Sequence, residues 1–304
     1  MRKEFSQAIE TLALADERVV FITGDLGFNA LENVQAALGP RFINAGVAEQ
    51  NMVGLAAGMA YRGYRVFCYS IAPFVVYRCL EQFRNDVCLH NLPVFLVGNG
   101  GGYGYGIMGS THHAIEDLAA LSSLQNVRCY VPAFAEEVGE CVSELVERAR
   151  PAYLRLGVGR ALPQGTTRTG SFRITHRSPR ANGTVIALGP AISNVLSALN
   201  ETGLMEDYNV LTALTLPLEL SQEVEALLSE NGALLVVEEH VSIGGLAQQL
   251  SVKLLEKGIH PTGFCSVSAQ GYPSGLYGDQ AFHQKQSGLD ADSLAGVLRQ
   301  FAMA

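Results

Sequence analysis

The chain has 304 residues, of which 48% are hydrophobic, with 32 glycines and a formal net charge of −8. Such a composition excludes a disordered chain, and the acidic balance without basic runs disfavours nucleic acid and anionic membranes as partners. No stretch reaches the roughly 18 apolar residues of a transmembrane helix, and the amino terminus lacks an apolar signal core. The six cysteines form no CxxC pair, which favours reduced thiols and a cytoplasmic location.

In the first half of the chain, short apolar runs alternate with amphipathic segments. The pattern predicts strands at residues 19–23, 66–70, 94–97, 128–131 and 153–156. It predicts helices near residues 3–15, 49–61, 75–90, 116–123 and 135–149. This alternation is typical of βαβ units and a mostly parallel sheet.

A polar stretch rich in Gly and Thr, residues 162–171, follows and is typical of a linker. The alternation then restarts, with strands near 184–189, 209–213, 233–237 and 264–267 and helices near 191–202, 220–229, 245–257 and 291–302. We therefore predict an α/β protein with two domains, each a mostly parallel sheet flanked by helices. The first domain is expected at 1–165, the linker at 166–182 and the second domain at 183–304.

Glu49 begins an almost uncharged helical segment. Gly54, Ala57 and Gly58 lie at i, i+3 and i+4, so one helix face is nearly bare and a second backbone can approach it closely. A carboxylate at such a helix start can hydrogen-bond a ring nitrogen of a bound heterocycle and take part in proton transfer. The alternative is a first-turn glutamate that only stabilises the helix, and the segment alone leaves both interpretations open.

A glycine-rich loop at residues 98–106 follows the third predicted strand, and its backbone amides are candidates for ligand contact. The GxGxxG pattern at 104–109 gives only a weak indication of a nicotinamide-dependent dehydrogenase, because it does not open the first βαβ unit. His112 and His113 come next and are candidates for substrate contact or general acid–base catalysis. For either histidine taken alone, a position exposed to solvent with no role in catalysis is an equally good explanation.

Phe74, Tyr77 and Arg78 lie within one helical turn after a predicted strand. Aromatic side chains here are candidates for stacking on a planar ring, although such a group more often belongs to the core. Arg78 and Arg155 are candidates for holding a phosphate or carboxylate in a bidentate manner. A surface salt bridge is the commoner role of an isolated arginine.

The order of these elements resembles the C-terminal half of transketolases, and most of all the separate C-terminal subunit of split transketolases. The resemblance rests on the sequence AGVAEQNM at 45–52, on GSTHH at 109–113 followed by EDL at 116–118, and on VEEH at 237–240 followed by two glycines at 244–245. It covers nearly the whole chain. It implies an enzyme that depends on thiamine diphosphate, built here from a pyrimidine-binding domain and a C-terminal domain.

The resemblance also implies roles for single residues. In that family the glutamate matching Glu49 hydrogen-bonds the ring nitrogen of the cofactor's aminopyrimidine and promotes proton transfer. Phe74 matches the aromatic that stacks on the pyrimidine, and Ile71 stands where many relatives have a second aromatic. Tyr77 is expected beside them at the cofactor. His112 matches the catalytic histidine that contacts the reacting oxygens, and the further expected substrate contacts are His113, Met108, Arg78 and Arg155.

Two departures from the family pattern bear on function. Met108 stands where typical transketolases have an aspartate that recognises a substrate hydroxyl, and a thioether is a poor acceptor. A deoxygenated, branched or otherwise modified sugar is therefore a candidate substrate.

The second departure is the absence of the Gly-Asp-Gly motif with a downstream Asn, which in the family holds Mg²⁺ and the diphosphate. Neither residues 24–26 nor residues 278–280 replace this motif. The metal and the diphosphate are expected to be held by a second polypeptide.

The sequence thus predicts the pyrimidine-binding subunit of a two-component transketolase that transfers a two-carbon ketol unit between sugar phosphates or activated sugars. An N-terminal-half partner and an α2β2 assembly with twofold symmetry are expected, with the bare face around Gly54 and Gly58 at the twofold contact. One alternative is a related enzyme acting on a 2-oxo acid, like dehydrogenase beta subunits or 1-deoxy-D-xylulose 5-phosphate synthase. Another is a non-catalytic scaffold or binding subunit.

Overall fold

The computed structural model describes residues 1–27, 29–230 and 232–302. The strands of its first half are β1 Val19–Thr23, β2 Phe42–Asn44, β3 Arg65–Ile71, β4 Val94–Asn99, β5 Arg128–Tyr130 and β6 Ala152–Leu156. The helices that alternate with them are α1 Arg2–Ala15, α2 Glu32–Leu38, α3 Glu49–Tyr61, α4 Ala72–Tyr77, α5 Leu80–Gln82, α6 Asp117–Ser122 and α7 Glu137–Arg148.

These six strands form one sheet in the order β2-β1-β3-β4-β6-β5, and every neighbouring pair is parallel. Helices cover both faces. Phe5 of α1 belongs to the buried cluster on one face, and Met52 and Val53 of α3 belong to the cluster on the other. Because all six strands run the same way, their carboxyl ends meet at a single edge, where open α/β sheets place their ligands.

The second half restarts the same architecture. Its strands are β7 Thr167–Thr169, β8 Phe172–His176, β9 Gly183–Leu188, β10 Tyr208–Ala213, β11 Thr215–Leu216, β12 Ala233–Glu238 and β13 Gly263–Ser268. Its helices are α8 Ile192–Thr202, α9 Gln222–Glu230, α10 Leu246–Glu256, α11 Gln280–Gln286 and α12 Ala291–Ala302. Within the described residues, the sheet order is β13-β12-β9-β10-β8-β7. Strands β13, β12, β9 and β10 are parallel to one another, β8 runs antiparallel to β10, and β7 runs antiparallel to β8. The predicted α/β class with two mostly parallel sheets is confirmed.

The segment expected to be a linker, residues 166–182, instead contains strands β7 and β8 at the edge of the second sheet. Gly170, with φ +59°, makes the turn between them. Phe172 and Ile174 are buried on one side of β8, a period-two pattern that packs on the second domain. The polar composition of the turn concealed this hairpin. Strand β11 then pairs antiparallel with β5, so the second half adds a strand to the first sheet.

Most predicted elements agree with the structure within two residues, and α3 has the predicted bounds. The helix expected over 75–90 is broken, since α4 and α5 are followed by a π-helix at Phe83–Cys88. Pro73 in the first turn explains the early start of α4, because a proline is tolerated there.

All six cysteines are free thiols. Among the described residues, no helix is both long and apolar enough for a membrane span.

Candidate active site

The carboxylate of Glu49 lies at the carboxyl edge of the first sheet. Glu49 is the first residue of α3 and is only 3% exposed. Ser70, near the end of β3, donates to its Oε1 at 3.1 Å, and Arg78 donates through Nη1 at 3.2 Å to Oε1 and 3.0 Å to Oε2. Gly24, after β1, leaves room beside this group, since a Cβ there would lie 3.7 Å from Oε1. The buried charge is therefore compensated by donors from two further segments.

Phe74 and Arg78 share one face of the α4 segment because they are four residues apart. The guanidinium carbon of Arg78 lies 3.7 Å from the centroid of the Phe74 ring, in a cation–π contact. The Arg78 side chain is 44% exposed, whereas that of its partner Glu49 is 2% exposed. Arg78 was expected near a substrate phosphate, but the helix geometry turns it back onto the ring and the carboxylate.

The glycine-rich loop brings His112 to the same place. Its imidazole centroid lies 5.0 Å from that of Phe74, at an interplanar angle of 65°, and 5.8 Å from that of Tyr105. Asn99, at the end of β4, donates to the Tyr105 hydroxyl at 2.8 Å and anchors the loop. The structure thus assembles Glu49, Phe74 and His112, which come from three separate segments of the sequence, around one point of the sheet edge.

His113 is buried and both nitrogens of its ring have partners inside the chain, while its expected contact with a substrate stays a prediction. Its Nε2 lies 2.8 Å from the carbonyl oxygen of Gly106, and its Nδ1 lies 2.9 Å from the hydroxyl of Tyr272. A carbonyl can only accept, so Nε2 carries the proton and Tyr272 donates to Nδ1. Burial lowers the pKa of His113 and favours this neutral form. The side chain of His283 completes the contact, with ring centroids 4.8 Å apart. His113 thereby ties the glycine-rich loop to the second half of the chain.

Arg155 is also committed to a structural contact. Its Nε donates to Asp117 Oδ2 at 2.9 Å, and its Nη2 donates to the carbonyls of Ala114 at 2.6 Å and Glu239 at 3.1 Å. The side chains of Arg155 and Asp117 are 5% and 0% exposed. Tyr153 adds a hydrogen bond to Asp117 at 2.7 Å. A buried ion pair of this kind leaves the guanidinium little freedom, and contact of Arg155 with a substrate phosphate stays a prediction.

The remaining candidate residues surround the site at different depths. Ile71, the last residue of β3, is buried and lies just ahead of α4. The Tyr77 hydroxyl donates to Glu116 at 3.3 Å, so it is directed toward α6. Met108 is 55% exposed at the end of a short 3₁₀ turn, Gly106–Met108.

Ser70, Asp117 and Tyr272 were not among the sequence candidates, since nothing local in the sequence marks their long-range partners.

Among residues 1–27, 29–230 and 232–302, no group of three or more His, Cys, Asp or Glu side chains is placed to hold a metal ion. The groups at the site are instead the buried carboxylate of Glu49, the phenyl ring of Phe74 and the imidazole of His112. That set suits an uncharged planar heterocycle with a ring nitrogen.

Residues 1–161 match the family described as "Transketolase, pyrimidine binding domain". The chain belongs to the transketolase family. This transketolase chain is 31% identical over 254 residues to an apulose-4-phosphate transketolase subunit of Phocaeicola vulgatus, and the match covers 81% of the chain and 80% of that protein. It therefore corresponds to the C-terminal subunit of a split transketolase, as the sequence resemblance predicted.

A solved structure agrees with this assignment. The transketolase chain is similar to a split gene transketolase, described as an inactive beta4 tetramer, with a TM-score of 0.81 and 27% identity. That match covers 99% of this chain and 97% of the other. The chain is also 31% identical over 309 residues to 1-deoxy-D-xylulose-5-phosphate synthase 2 of Geobacter sulfurreducens, but it spans only 48% of that protein.

Proposed function

We propose that this chain is the pyrimidine-binding subunit of a two-component, thiamine diphosphate-dependent transketolase. It transfers a two-carbon ketol unit between sugar phosphates, modified ones included, or activated sugars. The observation that carries the proposal is the buried Glu49 carboxylate, 3% exposed, which Arg78 connects to the ring of Phe74 at the carboxyl edge of the first sheet. The transferase class agrees with the family of the chain and with its similarity to split transketolase subunits.

The residues at the site fit the aminopyrimidine of thiamine diphosphate, and the bound cofactor would supply the electron sink for two-carbon transfer. Glu49 would hold the ring nitrogen and exchange a proton there. Phe74 would carry the ring on its face, with Ile71 as the second wall and Tyr77 toward the rim. His112, whose ring lies 5.0 Å from that of Phe74, would hold the reacting oxygens of the substrate and move protons to and from them.

We further propose that Mg²⁺ and the diphosphate are held mainly by an N-terminal transketolase subunit, because this chain lacks the Gly-Asp-Gly motif. Two copies of each polypeptide would form an α2β2 assembly. The open face of α3 is the proposed twofold contact, since a Cβ added at Gly54 or Gly58 would meet no described atom within 4 Å. Leu55 and Tyr61 of the same helix are exposed. The free thiols suit a reducing compartment, and we place the complex in the cytoplasm.

The rim of the site suggests a sugar that lacks a hydroxyl where common substrates carry one. Met108 and its neighbour Ile107 are both exposed apolar side chains at the turn before His112, and neither can accept a hydrogen bond well. The substrate named for the Phocaeicola vulgatus relative, apulose 4-phosphate, is therefore the first to test.

A second candidate function is synthesis from a 2-oxo acid. The same apolar rim at Met108 would suit the methyl group of pyruvate, and the match to the Geobacter sulfurreducens synthase spans 97% of this chain. The synthase is longer than this chain by about the length of the missing half, so this function would also require a second polypeptide.

The test is a steady-state assay of the chain reconstituted with an N-terminal-half transketolase chain, thiamine diphosphate and Mg²⁺. Apulose 4-phosphate and other ketose phosphates are compared with pyruvate as donors. Glu49→Gln is compared with Glu223→Gln, a matched change at an exposed first-turn glutamate of α9. We expect ketose phosphates to be consumed and Glu49→Gln to lose at least about 100-fold in kcat, while Glu223→Gln keeps full activity.

Consumption of pyruvate alone would replace the transketolase assignment with the second candidate. Full activity of Glu49→Gln would contradict the catalytic role of this carboxylate. Binding of thiamine diphosphate, titrated with and without the partner chain and Mg²⁺, separates a catalytic failure from a failure to load the cofactor.

A further inference from the structure

We propose that the Arg78 guanidinium occupies the aminopyrimidine subsite as a displaceable stand-in and must leave before the cofactor binds. This inference rests on the proposed function. Arg78 contacts the two groups that would hold the pyrimidine, the carboxylate of Glu49 and the ring face of Phe74. A planar guanidinium resembles an aminopyrimidine in shape and in its N–H donors. The two cannot share the space.

The distances support direct competition. Arg78 Nη1 lies 3.0 Å from Oε2 and 3.2 Å from Oε1 of Glu49, and the guanidinium carbon lies 3.7 Å above the centre of the Phe74 ring. A stacked pyrimidine would lie at the same height above the ring. Ser70 bonds only Oε1, so departure of Arg78 would free Oε2 to bind a ring nitrogen.

The side chain of Arg78 can leave at modest cost. It is 44% exposed, so solvent screens the arginine side of its ion pair with the buried Glu49 carboxylate, and the guanidinium can exchange that contact for water more readily than a buried arginine can. The other arginine near the site, Arg155, has a 5% exposed side chain and bonds to two buried backbone carbonyls, so it lacks this freedom. While Arg78 is in place, it compensates the buried charge of Glu49, and once displaced it lies at the mouth of the site.

The experiment measures binding of thiamine, which carries the aminopyrimidine without the diphosphate, to the full-length chain by isothermal titration calorimetry. Arg78→Met is compared with Arg78→Lys and with Arg84→Met. Arg84 lies on the following π-helix and its side chain bonds Asn85, so it is a matched exposed arginine outside the subsite. We expect Arg78→Met to bind thiamine about tenfold more tightly than the wild type. Arg78→Lys should be intermediate because lysine lacks the planar fork, and Arg84→Met should be unchanged.

A second readout uses the wild-type chain and does not depend on a substitution. The ¹⁵Nε resonance of the Arg78 side chain, assigned by its loss in Arg78→Lys, should shift as thiamine is added, whereas that of Arg84 should not. If wild type and Arg78→Met bind thiamine equally and the Arg78 resonance stays fixed, the competition is refuted while the proposed function stands. If no variant shows saturable thiamine binding even with the N-terminal-half transketolase chain present, the pyrimidine subsite itself, and with it the proposed function, is wrong.

Discussion

Substitution of Arg155 by methionine tests whether this residue holds the fold or binds substrate. Arg155 donates to Asp117 Oδ2 at 2.9 Å, and both side chains are at least 95% buried. The substitution would leave the Asp117 carboxylate with the Tyr153 hydroxyl, 2.7 Å away, while Oδ1 has no hydrogen-bond partner among the described residues. The carbonyls of Ala114 and Glu239 would each lose a donor.

Breaking a buried ion pair from one side costs about 3–5 kcal/mol, a large part of a typical unfolding free energy of about 5–15 kcal/mol. With an m-value of about 3 kcal/mol per M in urea, the unfolding midpoint should fall by about 1–1.7 M. The assay is urea unfolding followed by circular dichroism. Arg155→Met/Asp117→Asn should recover much of the loss, because the orphaned charge is removed. Arg78→Met, whose guanidinium is 44% exposed, should lower the unfolding free energy by less than Arg155→Met does, although it leaves the buried Glu49 carboxylate with the Ser70 hydroxyl.

The reasoning is refuted if Arg155→Met unfolds at the wild-type midpoint and instead raises KM for a phosphorylated substrate. That result would make Arg155 a substrate ligand, as the sequence first indicated, and Asp117 would have to be stable in the interior without it.

Three further predictions concern the loop, the pH dependence and the assembly. Tyr272→Phe removes the hydroxyl that donates to His113 and should lower kcat several-fold with KM little changed; an unchanged kcat in steady-state assays of the reconstituted enzyme would contradict the positioning role. Burial lowers the pKa of His240 to about 4, below the 6.5 of the unfolded chain, so the unfolded state alone gains this proton as the pH falls from 7 to 5. Between pH 7 and pH 5, the unfolding free energy of the wild type should fall by about 2 kcal/mol more than that of His240→Gln. Equal decreases for the two proteins, measured by urea titration at each pH, would refute this. Gly58→Arg should shift sedimentation of the chain toward the monomer, and an unchanged assembly would exclude the proposed twofold face.

The strand and helix order could be predicted from the sequence because periodicity is a local property. Glu49 was a candidate because it begins an uncharged helix, whereas the role of Phe74 was implied by the family resemblance, and both roles stay predictions. The two residues lie at the same edge of the sheet because strands β1, β3 and β4 are parallel neighbours, so their carboxyl ends meet there.

The arginine contacts could not be predicted from the sequence. Arg78 and Arg155 are both isolated arginines beside polar loops, yet one lies exposed on a phenyl ring and the other is buried against Asp117, 38 residues away in the chain. Their roles depend on long-range packing. The same holds for His113, whose partner Tyr272 is 159 residues away, and for the hairpin at 167–176, whose burial depends on a sheet formed later in the chain.

The most direct test of the account is a crystal structure of this chain assembled with its N-terminal partner, thiamine diphosphate and Mg²⁺. The distance to measure is that between the carboxylate of Glu49 and the aminopyrimidine ring nitrogen. We predict a hydrogen bond of roughly 2.6–3.0 Å, with the ring on the face of Phe74 and Arg78 withdrawn from it. A cofactor bound elsewhere, with Glu49 still paired to Arg78 or turned to solvent, would contradict the account.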